Sequence, residues 1–168
     1  RVLIGRELDE SKMLNRMVME EDRFRNNILS KELVGQQSEE LLNMLSRLQI
    51  FKLPVPNAAI VATCDNIANL EEHFKRAIAL SFLEESVFKG QISYRVPRIL
   101  AKLLPHTDAL ELFQKATDIL YQVWVVEGKS ISEEHCRQIY ALGRKAGRDY
   151  ICLNIGEILL KYKEGKGA

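Results

Sequence analysis

Residues 41–104 read LLNMLSRLQIFKLPVPNAAIVATCDNIANLEEHFKRAIALSFLEESVFKGQISYRVPRILAKLL, and the two changes of period inside this stretch decide the fold. Leu70, Phe74, Ala77, Ile78 and Ser81 fall at i, i+4, i+7, i+8 and i+11, one face of a 3.6-residue repeat, which predicts a third helix with a core-facing side. The period then drops to two. Ile92, Tyr94 and Val96 alternate with Gln91, Ser93 and Arg95, as a strand with one apolar side requires. LEESVF supplies a partner strand, and Lys89 and Gly90 stand where a two-residue hairpin turn needs positive φ. Three helices followed by a hairpin and a closing helical segment is the order of a winged helix-turn-helix.

Working outward, Ser38 with Glu39 and Glu40 marks a helix start, a hydroxyl for orphan N–H groups and carboxylates at the positive end of the dipole. Leu41, Leu42, Leu45 and Leu48 form the buried side of that helix. Leu53-Pro54-Val55-Pro56 reads as an extended connector, with Pro56 suited to the first turn of the next helix. NAAIVATC is short and almost wholly apolar, hence expected to be buried. Asn69 with Glu72 has the spacing of a capping box, as has Asp108 with Glu111 ahead of a long helix. Leu112, Ala116, Ile119 and Val123 give that helix a stripe, and Gly128 can end it. Ser130 or Ser132 begins another helix, and Tyr150 to Tyr162 makes the last, joined to it by a turn at Gly147 as an antiparallel helical hairpin. The tail KEGKGA is expected to fray.

Before the winged stretch, RVLIGRELDESKMLNRMVMEEDRFRNNIL has helical composition, with Met13, Met17, Phe24 and Ile28 at spacings of four and seven. It reads as an amphipathic helix or helix pair. The chain opens at Arg1 without a Met and enters helical sequence at once, which suggests a piece of a longer protein. The fold class expected is therefore mainly α: a winged helix-turn-helix with a small two-stranded β-hairpin, flanked by an N-terminal helical segment and a C-terminal antiparallel helical hairpin or bundle.

Composition sets bounds on function. The 168 residues, 46% hydrophobic and 28% charged, are those of an ordinary folded protein, and folding removes roughly 70% of the extended-chain surface from water. No apolar run reaches the roughly 18 residues that cross a bilayer, so no membrane association and a cytoplasmic location are expected. Cys64, Cys136 and Cys152 are odd in number and set in apolar helical surroundings, which fits buried free thiols rather than disulfides or metal ligands.

A net charge of +1 gives no global attraction for nucleic acid. Across 65–85, Asp65, Glu71, Glu72, Glu84 and Glu85 oppose only Lys75 and Arg76, five acids against two bases and so −3 around the expected recognition helix. The wing and the segment after it, 86–105, carry Lys89, Arg95, Arg98 and Lys102 without an acid, which is +4 and able to reach a phosphate backbone non-specifically. Sequence reading through the helix is disfavoured, and nucleic acid is the rival rather than the leading partner.

Enzyme constellations are poor. His135 and Cys136 are successive on one helix and point about 100° apart, so they cannot form a nucleophile and base pair. Ser132-Glu133-Glu134-His135 has the spacing of a helix cap. His73 sits beside Phe74 on a helix, and His106 beside Pro105 in a connector. Arg144, Lys145 and Arg148 near a helix C-terminus complement its dipole. No G-x-x-x-x-G-K-[ST] loop is present, so nothing cradles a nucleotide's phosphates and no ATP hydrolysis is expected of this chain alone.

QQSEELLNMLSRLQIFKLPVPNAAI (36–60), HFKRAIALSFLEE (73–85), YRVPRILAKLL (94–104) and ATDILYQVWVVEGKSISEEHCRQIYALG (116–143) together resemble the region downstream of the nucleotide-binding core in STAND ATPases. These are signal-transduction relatives of the NB-ARC proteins, and the similarity is to their tetratricopeptide-bearing prokaryotic members. The resemblance covers most of the chain from about residue 24, and it lies in apolar positions and punctuation rather than in a catalytic motif. It implies that 1–37 ends a helical subdomain, that 38–105 is the winged-helix domain, and that 106–168 enters a helical, tetratricopeptide-like segment. It further implies a non-catalytic regulatory and protein-interaction role, with no cofactor in this fragment, ADP or ATP in the parent, and the upstream nucleotide-binding core as partner. In NB-ARC relatives a Met-His-Asp triplet after the wing contacts ADP through its His; here Pro97 stands near that position, leaving Arg95 and Arg98 as candidates to meet a phosphate. Two alternatives stand beside this role: a DNA-binding module using the basic wing of Lys89, Arg95, Arg98 and Lys102, and a stand-alone helical scaffold or adaptor capturing proteins through its helical segments.

Overall fold

Ser38 opens the winged helix as its sequence predicts, in extended conformation with Oγ accepting the Leu41 N–H at 3.3 Å, and Glu39 and Glu40 occupy the first turn. The computed structural model describes residues 31–88, 90–128 and 130–165. The chain divides after Gln37 into two compact units, and every labelled helix and strand belongs to the second. Of the first, residues 31–35 are helical; the rest of the expected N-terminal helical segment, residues 1–30, lies outside the described residues, as do Lys89 and the last three residues of the tail.

Helix α1 (Glu39–Leu48) buries Leu41, Met44, Leu45 and Leu48, while Leu42 is only half-buried. The connector after it does more than extend. Val55–Pro56 forms strand β1, pairing antiparallel with β3 (Gln91–Arg95) in the register Val55↔Tyr94 and Pro56↔Ser93. The sheet therefore has three strands, in the order β1-β3-β2, where the sequence predicted two. Pro56, lacking an N–H, is tolerated because β1 is an edge. Rather than entering the first turn of α2 (Asn57–Thr63), it caps that helix from outside with ψ at 158°. Burial of α2 is one-sided: Ala59, Ile60 and Thr63 are enclosed, whereas Val61 is 50% exposed.

Helix α3 (Leu70–Ala79) corrects three expectations. Asn69 is left-handed, with φ at 52°, and its side chain caps nothing; the Glu72 and His73 N–H groups donate to its backbone carbonyl instead. Only Ala77 is fully buried, with Leu70, Phe74 and Ile78 half-buried. Ser81 is exposed and outside the helix, because Ser81 N–H donates to the Ile78 carbonyl and Phe82 N–H to that of Ala77, a closure that puts Ser81 in the left-handed region at φ 57°. That turn delivers the chain into β2 (Glu84–Phe88).

Strands β2 and β3 form the predicted hairpin, with Glu84 opposite Arg95, Val87 opposite Ile92 and Gly90 at φ 79°. Tyr94 seats it on α3, its ring edge-on to Phe74 at 4.8 Å between centroids and 79° between planes. Val96 is buried as expected, but Ile92 is 52% exposed, so the apolar side of the strand is covered at its end near α4 and largely uncovered towards the turn. The short helix α4 (Arg98–Ala101) then buries Leu100, and Leu104 follows it into the core.

Helix α5 (Leu110–Tyr121) is preceded by Ala109 at its cap, one residue past the expected Asp108, and no side chain caps it. Glu111 pairs instead with Lys115 at 3.0 Å. Its buried face is Leu112, Phe113, Ala116, Thr117 and Leu120, rotated from the predicted stripe because α5 packs on α2 and on the next helix at once. The helix widens into a π turn over Gln122–Val126, and a Cβ at Gly128 would lie 2.4 Å from the Trp124 carbonyl oxygen, so the chain leaves past Trp124 only as glycine. Helix α6 (Glu133–Ala146) begins at Ser132, whose Oγ accepts the His135 N–H at 3.3 Å, and ends at Gly147 with φ at 65°. It pairs with α7 (Asp149–Lys163) as the predicted C-terminal hairpin. Among the described residues no helix is long and apolar enough to cross a membrane.

Candidate functional site

Of the four basic residues singled out in the sequence, Arg95, Arg98 and Lys102 are among the described residues. Arg95 turns back on its own hairpin, its Nη2 2.5 Å and its Nε 3.2 Å from Glu84 Oε2. Arg98 is exposed at the start of α4, and Lys102, exposed at its end, belongs to the rim of a different feature. The suspected enzyme residues serve the fold. His135 Nδ1 lies 2.7 Å from Ser132 Oγ within the α6 cap, and its ring lies on Trp124 at 4.2 Å between centroids. All three cysteines are free and buried; burial pushes the Cys64 and Cys136 thiols up to about 11 and raises that of Cys152, away from the reactive thiolate. No group of His, Cys, Asp and Glu able to hold a metal occurs among the described residues.

What the structure does assemble is a cavity of about 810 Å³ where the winged helix meets the C-terminal helices. Its walls come from 49–53 after α1, from 101–108 after the wing, from Phe113 on α5 and from one face of α6. Gln138 of α6 lines it and is only 6% exposed. Its Oε1 accepts two backbone N–H groups, those of Lys52 at 2.8 Å and Leu53 at 2.7 Å, which fixes the amide's orientation. The Nε2 on the other side has no hydrogen-bond partner. Four bases line the cavity (Lys52, Lys102, Arg137 and Lys145) against two acids (Asp108 and Glu134). Arg137 is held by Glu133 at 2.5 Å and Lys145 lies 4.8 Å over the Phe113 ring, whereas Lys52 and Lys102 make no ion pair among the described residues.

A second tie crosses the same junction nearby: Lys115 of α5 binds Asp65, in the loop after α2, at 2.6 Å. The hydrogen bonds and charge of Lys115 hold the Asp65 carboxyl below the usual carboxylate range, and Asp65 and Glu111 raise Lys115 in return.

Two apolar surfaces are unpartnered within the described residues. Val87 and Ile92 face each other across the hairpin and are 73% and 52% exposed. Tyr150, Leu153 and Leu160 of α7, at i, i+3 and i+10, are all more than half exposed and share one face. Neither surface is visible in composition, and Gln138 is a single polar letter in EEHCRQIYALG; its place four residues before Leu142, on the apolar face of α6, was the available signal. No family model, curated protein or solved structure matches this chain.

Proposed function

We propose that the chain is a non-catalytic winged-helix segment that docks on other protein surfaces and passes a displacement of the wing into the C-terminal helices. The observation that carries this reading is the wing itself: side-by-side Val87 and Ile92 at its tip are poorly suited to phosphate and well suited to an apolar protein surface. The exposed stripe on α7 supports it, since a further helix of a repeat array would cover that face. The mechanical link runs through Gln138 to 52–53 and through Lys115 to Asp65, so that the winged helix and the C-terminal helices move together.

On this reading, and on the resemblance to STAND ATPases, the surface under the wing is the nucleotide-binding core of a cytoplasmic parent chain that carries ADP or ATP. Three free thiols suit that reducing compartment. DNA binding is the weaker reading. Arg95 is already paired with Glu84, and α3 presents Glu71 and Glu72 in its first turn. A stand-alone scaffold shares the same surfaces without a nucleotide switch.

Hydrogen exchange on the parent chain with ADP and with ATP tests the proposal. Protection of residues 84–95 should change between the two states, and Val87→Lys with Ile92→Lys should remove the difference. A parent gene without an upstream phosphate-binding loop, or unchanged protection, would refute it. Salt-sensitive retention of duplex DNA, weakened by Arg98→Glu, would favour the rival.

A further inference from the structure

We propose that α7 pairs with α7 of a second copy of this chain, antiparallel about a two-fold axis that passes Gly156. The coupling role proposed above does not require the dimer; the second copy takes the place on α7 that a following repeat helix would fill.

The pattern that carries the proposal is symmetric along the helix. Asp149, Leu153, Gly156, Leu160 and Lys163 recur at alternating spacings of four and three, the spacing of a seam between two helices. Gly156 is its midpoint, with a leucine and then a charge on either side: an acid at the N-terminal end of the seam and a base at the C-terminal end. Reversed, the seam fits itself. A second α7 running the other way sets Leu153 beside Leu160 of the partner subunit and Asp149 beside Lys163 of the partner subunit, and the two-fold repeats both contacts.

The members of the seam are available. Leu153 and Leu160 are 71% and 59% exposed, and neither Asp149 nor Lys163 has an ion pair among the described residues. No atom beyond the helix backbone and the adjoining residues lies within 4 Å of where a Cβ on Gly156 would stand, so the middle of the seam is open to a close approach. Beside it, Tyr140 of α6 joins Gly156, Leu159 and Leu160 in lining a slot of about 300 Å³, which an apolar side chain of the opposing helix can enter. Glu133 and Arg137 at that slot are paired with each other at 2.5 Å, which leaves Lys163 as its uncommitted charge. Glu157 stands about 100° round the helix from Gly156, at the edge of the seam.

Sedimentation velocity of the intact chain, from about 5 to 500 µM, tests the pairing. One helix pair is smaller than a standard interface of roughly 1,200–2,000 Å², so a reversible dimer with a dissociation constant on the order of tens of micromolar is expected. Asp149→Lys and Lys163→Asp, both at exposed positions, should each weaken it about fivefold or more, because the contact occurs twice; combined, they should restore it to within about threefold. Leu160→Asp should leave only monomer, with helical circular dichroism unchanged because that side chain faces solvent in the single chain. A monomer throughout the range, a dimer unaffected by Leu160→Asp, or charge reversals that do not restore each other would overturn the proposal.

Discussion

Gln138 joins two parts of the molecule with one oxygen. Lys52 N–H and Leu53 N–H sit where the chain leaves α1, beyond the reach of any helical ladder, and the side chain of α6 supplies their acceptor from 85 and 86 residues away. Replacing it by leucine keeps the volume and strands both donors, so Gln138→Leu should cost about 2 kcal/mol in urea unfolding at unchanged m. A loss under about 0.5 kcal/mol would show that water replaces the amide. The thiols make a second residue-scale test. With Cys64 and Cys136 buried and raised to about 11, the native chain should resist iodoacetamide at pH 8 while the urea-unfolded chain reacts at all three cysteines; equal rates would contradict the burial. The unfolded thiols ionise first, so these groups lower stability as pH rises from about 8.5 towards 11.

Caps show what single residues can and cannot announce. Ser38 and Ser132 were legible because hydroxyl, acids and apolar period agree locally. Asn69 and Asp108 carry equally good letters, yet neither side chain caps its helix: the first is left-handed, with φ at 52°, and the second stands one residue before Ala109, which takes the cap position of α5.

At the scale of elements, the hairpin was readable from its period of two and from Gly90, since both depend on neighbours in the chain. Strand β1 was not, because two residues have no period and their pairing with Tyr94 and Ser93 is long-range. Which strand residues find cover is equally non-local: Tyr94 meets Phe74 while Ile92, two residues earlier, is left largely in solvent. Since the wing tip is solvent-facing, Val87→Lys with Ile92→Lys should change the unfolding free energy by no more than about 0.5 kcal/mol each. A larger loss would place the pair inside the folded unit. The rotation of the α5 face has the same origin, since a helix packed on two neighbours has a face set by both, and a single stripe in the sequence names only one.

For the molecule as a whole, the junction between winged helix and C-terminal helices decides whether motion is transmitted or absorbed. The Asp65–Lys115 pair spans it. Asp65 is depressed in the folded chain, so its contribution is present above the unfolded value of about 4 and is lost as pH falls through the folded one; Lys115, raised, loses its contribution only above about pH 10. Asp65→Asn should therefore lower stability at pH 7 and narrow the difference between pH 7 and pH 3, as read by denaturant midpoints; an unchanged difference would remove the pair from the junction. None of this was visible beforehand, because the partners stand 50 residues apart.

The most direct measurement compares opening of the two sides of the junction. Trp124, the chain's single tryptophan, reports the C-terminal helices by fluorescence, and native-state hydrogen exchange at the Tyr94 amide reports the wing sheet. If the winged helix and the C-terminal helices form one block, the exchange free energy at Tyr94 equals the global unfolding free energy from Trp124. An exchange free energy several kcal/mol below the global value would mean that the wing opens alone, and no displacement of it could reach α6 and α7.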